Sequence, residues 1–204
     1  MTIAFSQACE NNKQPILTVL SQAFATTKTV LEVGSGTGQH AIYFAKHLPH
    51  LSWYTSDLPS NHPSINHRIK EAQLSNLHSA LSLDLANKWP QRFTQAHQAQ
   101  SLDGIFTANT MHIISWSLVE KFFHQAGKHL AQHGTLCIYG PFNYQGKFTS
   151  KSNANFDLWL KERDVNSGIR DIEKINQQAA LAGLQLTDDH EMPANNRLLT
   201  FSKS

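Results

Sequence analysis

Val30-Leu31-Glu32-Val33-Gly34-Ser35-Gly36-Thr37-Gly38-Gln39 is a short apolar run that breaks into glycines at every second position. Glycine admits positive φ and lets another molecule approach the backbone, so a buried strand over 29–33 turning through a glycine loop into a helix over 39–47 is predicted. Outward from this unit the same alternation repeats. Strands are predicted over 51–57, 80–84, 102–108 and 135–141, and helices over 15–24, 64–75, 117–131 and 169–182. Pro15 suits the first turn of the first helix. His133-Gly134 reads as the stop of the helix that ends at 131. Alternation of this kind argues for parallel strands joined by helical crossovers. The chain finishes differently, with strands over 184–187 and 197–201 separated only by a loop, so an antiparallel hairpin should close the sheet. The expected fold is α/β and Rossmann-like, with seven strands, mostly parallel.

Two ligand classes compete for the glycine loop. A dinucleotide site reads G-x-G-x-x-G, and an S-adenosyl-L-methionine site reads (D/E)-x-G-x-G-x-G. Position 39 is Gln and position 32 is Glu, so the first pattern lacks its last glycine and the second is complete with Glu32, Gly34, Gly36 and Gly38. Glu32 suits a cationic amino-acid group and repels a pyrophosphate. Ser35 belongs to the same loop, where a ligand meets backbone N–H donors at the helix start. Asp57 follows Gly38 by 19 residues, the place of a carboxylate that accepts ribose hydroxyls; the plainer reading is a turn-forming Asp before Pro59. Asp84, read as closing the third strand, with Leu85 after it, suits an adenine amino group and ring; the plainer reading is a helix cap. Five parallel strands plus a terminal hairpin are the architecture of class I methyltransferases.

Seventeen basic against fifteen acidic side chains give net charge +2, and 40% of the 204 residues are hydrophobic, enough for one well-buried domain over 1–204. Near-neutral charge argues against a nucleic-acid partner. Cys9 and Cys137 are too few and too far apart for disulfides or a Cys-based zinc site, and His124, His129 and His133 do not make a metal set, so no metal is assigned. The N-terminus lacks the basic start and apolar core of a signal peptide, and no stretch is long enough to span a bilayer. A cytoplasmic protein without a membrane partner is expected.

Residues 142–168 form a long polar excursion rich in Asn, Ser and Lys, expected as a lid-like insertion beside the loop 192–196, both overhanging the sheet edge where α/β folds bind ligands. Tyr139, Asn153, Asn155, Phe156 and Asp157 are candidate acceptor-binding residues there; a loop pinned by Asn hydrogen bonds is the plainer reading. After the fourth strand stands Asn109-Thr110-Met111-His112. It is not an Asp-Pro-Pro-Tyr sequence, which argues against methylation of an amide or an exocyclic base amine. His112 is the candidate general base and Asn109 a candidate for orienting acceptor or donor. A His satisfied by a backbone carbonyl is the competing reading.

Asn12-Lys13-Gln14-Pro15-Ile16-Leu17, Gly34 through His40, Trp53-Tyr54-Thr55-Ser56-Asp57, Asn109 through Ile113, Tyr139-Gly140-Pro141-Phe142, Thr149 through Asp157, Gly168-Ile169-Arg170-Asp171 and Met192 through Asn196 together resemble one family. It is the domain-of-unknown-function 938 group, which includes the methyltransferase-like 26 proteins. The resemblance implies a class I fold and an S-adenosylmethionine site, and leaves the methyl acceptor open. Asn11 stands where the resemblance leads one to expect Arg. The expected function is S-adenosylmethionine-dependent methyl transfer to a small-molecule acceptor. The alternatives are a non-catalytic S-adenosylmethionine or S-adenosylhomocysteine binder acting through a partner, and an NAD(P)-dependent oxidoreductase, which Gln39 disfavours.

Overall fold

The computed structural model describes residues 5–87, 89 and 102–204. The N-terminal signal-peptide reading thus falls largely on residues outside the described ones. At the centre lies β1 (Thr29–Val33), buried at every position and paired in parallel with β2 (Ser52–Asp57) on one side and β4 (Leu102–Ala108) on the other. Adding β3 (Leu77–Ser82), β5 (Leu130–Gly140), β8 (Leu184–Met192) and β9 (Asn196–Lys203) gives a seven-stranded sheet in the order β3-β2-β1-β4-β5-β9-β8. The first five strands are parallel, and β9 runs antiparallel to both β5 and β8. Chain order reverses beside β1, and the crevice at the carboxyl ends of β1 and β4 is where such folds place ligands.

Alternate residues of each strand feed two cores. Leu31, Val33, Ile105, Leu136 and Ile138 pack with α4 (Trp116–His129) and α6 (Ile172–Leu181). Val30, Phe106 and Cys137 point the other way, to α1 (Gln7–Ala23) and α2 (Gln39–His47), with Ile69 of α3 (His62–Ala72) against the same core. There Phe44 meets Trp53 and Phe106 with ring centroids 5.6 and 5.4 Å apart. Burial pushes the Cys137 thiol up to about 12, so it packs as a hydrophobe.

Four local expectations are corrected. The first helix begins at Gln7, leaving Pro15 in its interior, because Ser6 caps the Cys9 N–H and Gln39 grips the Ser6 backbone. The fourth helix ends at His129, where Leu130 turns extended; His133, with φ +62°, and Gly134 then form an irregularity within β5. The third strand ends at Ser82, so Asp84 stands in the turn beyond it. Residues 142–168 hold β6 (Phe142–Asn143) and a thirteen-residue helix, α5 (Lys151–Arg163), capped by Ser150. Two of the three residues buried on α5, Asn153 and Asp157, are polar, so no apolar period announces it. The ribbon of β6 with β7 (Arg170–Asp171) brings the end of this excursion back toward the sheet. Among the described residues no helix is long and apolar enough to cross a membrane.

Candidate functional site

The carbonyl of Ser56, near the end of β2, accepts from the N–H groups of both Gly34 and Ser35 at 3.0 Å, folding the loop back over the sheet edge. Gly34 has φ +76°, and a Cβ there would lie 3.0 Å from Thr110 Oγ1. At Gly36, with φ +55°, a Cβ would meet nothing within 4 Å, so the loop's crest faces open space. That space is a cavity of about 440 Å³ walled by Gly34, Ser35, Gly36, Asp57, Asp84, Leu85 and Asn109. Seven sequence-predicted residues thus meet on one surface. Leu83, Ile114 and Leu118 add apolar surface to the same wall.

Asp57 is largely occupied. Its Oδ2 accepts from the Gly36 N–H at 2.6 Å, and its Oδ1 from the Leu58 N–H at 2.7 Å and Asn61 Nδ2 at 2.8 Å. A carboxylate offers about four acceptor sites, so about one remains, on Oδ2 beside the glycine crest. Asp84 accepts from the Ala86 N–H and Asn87 Nδ2, a turn-forming pattern, while still reaching the cavity wall.

Two predicted donor-site residues lie elsewhere. Gly38 is the N-cap of α2, with φ +80°, and is absent from the wall. Glu32 shares the face of β1 with Val30, so its carboxylate enters the core: it is 2% exposed and accepts from Trp53 Nε1 at 3.0 Å. Desolvation outweighs the Trp53 and Ser35 hydrogen bonds and pushes it up to about 7. A direct contact between Glu32 and a ligand ammonium does not fit this geometry.

A second cavity, of about 900 Å³, shares Ser6, Asn109 and Ile113 with the first. Of the acceptor candidates, His112, Tyr139, Asn153 and Phe156 line it. Asn155 and Asp157 do not: positions 153, 156 and 160 share one face of α5, Asn155 points to solvent, and buried Asp157 accepts from the Ile169 N–H and Lys161 Nζ. The loop Pro193–Asn195 adds Pro193 and Ala194, and the carbonyl of Asn195 accepts from Asn153 Nδ2 at 3.0 Å. Asn109, with φ +57°, is held by its N–H to the Tyr139 carbonyl at 2.8 Å, at the junction of the two cavities.

The His112 ring meets Phe156 edge to face at 5.3 Å, and burial, with the Arg170 charge adding a little, pulls its imidazole down to about 4. It is therefore neutral at pH 7. The segment carrying it is sewn down from the other side. The Gly168 N–H donates to the His112 carbonyl, Ser167 Oγ to that of Ile113, and Arg170 to those of Met111 and Ile114.

Sequence reading missed several wall residues. Ser6, Cys9, Asn11 and Asn12 come from the unrecognised start of α1, and Trp159 and Arg163 from α5. Asn12 belongs to a buried chain. An amide oxygen only accepts, so His40 Nε2 donates to Asn12 Oδ1 at 2.7 Å, and Asn12 in turn donates to the Tyr139 hydroxyl. The motif segments around Asn12 and His40 held this signal, without a rule for pairing them.

Sheet order, glycine loop and cavity position define a class I, Rossmann-like methyltransferase fold. The chain belongs to the family described as "Protein of unknown function (DUF938)", whose profile matches residues 3–203. Among solved structures it resembles an O-methyltransferase family protein from Burkholderia thailandensis, at 18% identity and TM-score 0.79, covering 94% of this chain and 56% of that one. It also resembles NcsB1, an O-methyltransferase from neocarzinostatin biosynthesis in complex with S-adenosylmethionine and 2-hydroxy-5-methyl naphthoic acid, at 15% identity and TM-score 0.77, covering 97% and 55%. PigF with SAH matches at 13% identity and TM-score 0.76, covering 93% and 55%. The chain thus spans little more than half the length of these structures.

Proposed function

We propose that the protein is an S-adenosylmethionine-dependent methyltransferase acting on an oxygen of a small aromatic molecule. The observation that carries this reading is the pair of cavities joined at Asn109 and Ile113, one beneath the glycine crest and one walled by rings. The larger has the size of a drug-like ligand site, which supports a small-molecule acceptor. Similarity to O-methyltransferases supports oxygen as the atom methylated. We read residues 1–204 as one domain, with 142–168 as the lid-like insertion whose helix α5 walls the acceptor side.

The smaller cavity fits the donor: an open glycine crest, a spare acceptor on Asp57, apolar wall residues and Asp84. S-adenosylmethionine supplies an electrophilic methyl group on a sulfonium. Asp57 accepts one ribose hydroxyl while its other bonds hold the loop. Asp84 and Leu85 receive the base. Asn109 orients the groups that meet at the junction, and Phe156 and the 142–168 segment keep water out. His112, neutral and desolvated, accepts a hydrogen bond from the acceptor's hydroxyl; with its imidazole held near 4 it is a weak proton sink, and positioning supplies most of the rate.

Calorimetry with S-adenosylhomocysteine and with NAD tests the reading. Binding of the first in the micromolar range and none of the second is expected. NAD binding without S-adenosylhomocysteine binding would overturn it.

A further inference from the structure

Along α5, Phe156, Trp159 and Arg163 recur at helical spacing on the face that lines the larger cavity. Their contacts form a continuous series. His112 meets Phe156 at 5.3 Å, Phe156 stacks on Trp159 at 5.6 Å with planes 18° apart, and the Arg163 guanidinium lies 4.6 Å over the Trp159 ring. The inner end, at His112, adjoins Asn109 and the donor cavity. From Phe156 to Arg163 the helix rises about 10 Å.

Among the described residues of that wall, Arg163 alone carries a fixed positive charge. The neighbouring cations are committed: Lys161 to Asp157, and Arg170 to the carbonyls of Met111, Ile114 and Asn166. Among the described residues Arg163 enters no ion pair. Asp164, also on the wall, is turned into its own loop, accepting from the N–H and Nδ2 of Asn166 at 2.9 and 3.0 Å. Stacking on Trp159 uses the face of the guanidinium and leaves its N–H edges for a carboxylate. Trp159 is 46% exposed, so apolar ring surface beyond its contacts with Phe156 and Arg163 stays open to the cavity.

We propose that the larger cavity takes an elongated planar aromatic acceptor bearing an anionic group at the end remote from the methylated oxygen, with Arg163 holding that group and Phe156 and Trp159 receiving the rings. Which end reacts rests on the methyltransferase reading; the anion site itself does not.

The probes are 4-hydroxycinnamate, its methyl ester and the shorter 4-hydroxybenzoate, titrated calorimetrically into the protein with and without saturating S-adenosylhomocysteine. 4-Hydroxycinnamate should bind about tenfold more tightly than its ester, the scale of one charge-assisted contact near a surface. Arg163→Gln should bring that ratio to about one without changing affinity for the ester, and Trp159→Ala should weaken both. 4-Hydroxybenzoate should show little of the advantage, its carboxylate falling short of Arg163. Equal binding of acid and ester, an unchanged ratio in Arg163→Gln, or no binding of any probe at millimolar concentration overturns the proposal. Failure of S-adenosylhomocysteine to bind would instead sink the methyltransferase reading, and the acid-to-ester ratio without it still decides the anion site.

Discussion

Asp57 joins two tasks in one carboxylate, since three protein donors already occupy it and one acceptor site is left beside the glycine crest. Asp57→Ala should weaken S-adenosylhomocysteine binding by about 1.5–3 kcal/mol, the scale of a hydrogen bond to a charged group, and should also loosen Gly36. Calorimetry reads the affinity and amide exchange at Gly36 the loop; unchanged affinity removes Asp57 from the site. His112 carries a different expectation from that of an ordinary histidine base. Its protonation lies near 4, so turnover should stay flat from pH 8 to 5 and lose no limb near 6.5. His112→Ala should lower turnover by about a hundredfold or less, at or below the low end for such a group, and leave S-adenosylhomocysteine affinity within a few fold. A limb near 6.5 that vanishes in the variant would restore the general base. Position in the motif put both residues forward, and both stand on cavity walls, but neither Asp57's prior engagement nor the burial of His112 and Glu32 is written in spacing.

At the scale of elements, one arginine fastens the segment after β4. Arg170 spans the carbonyls of Met111, Ile114 and Asn166, so Arg170→Ala should cost about 1.5–3 kcal/mol in urea unfolding, the value of charged hydrogen bonds lost from half-buried carbonyls. Broadening of the His112 ring resonances in the folded variant would show that the segment has loosened; a sharp, unshifted ring would show that Ser167 and Gly168 suffice. The central strands, the glycine turn, α2 and the hairpin were legible because apolar runs and glycines report on the local chain. The start of α1 was not, since Pro15 reads as a first turn and Ser6's cap is fixed by Gln39, 33 positions away. Nor was α5, two of whose three buried positions are an asparagine that reaches Asn195 and an aspartate that reaches Ile169. Polar residues buried by long-range hydrogen bonds leave no hydrophobic period, and Asn153 is one of them on the wall of the larger cavity.

For the whole molecule, the buried His40, His112 and Glu32 dominate the response to acid, and burial of the His129 imidazole adds in the direction of the other two histidines. His40 and His112 are both pulled to about 4 by desolvation, so between 6.5 and 4 the unfolded chain takes up two protons that the folded one refuses, and stability falls as pH falls. Glu32, pushed to about 7, binds its proton in the folded state first, and between 7 and 4.5 it opposes that loss. The net difference is one proton, about 1.4 kcal/mol per pH unit over roughly 4.5–6.5 from these groups. Urea unfolding followed by tryptophan fluorescence should show that slope, and Glu32→Gln should about double it; an unchanged slope would mean that Glu32 stays ionised in the fold. One further consequence lies in Ser6, which belongs to the walls of both cavities and whose backbone N–H and carbonyl are both held by Gln39. A molecule in either cavity would meet the same N-cap of α1, so occupation of one compartment should be felt in the other. Such coupling is reciprocal whatever its sign: each occupant should change the other's affinity by the same factor, which titration of one in the presence of the other reads.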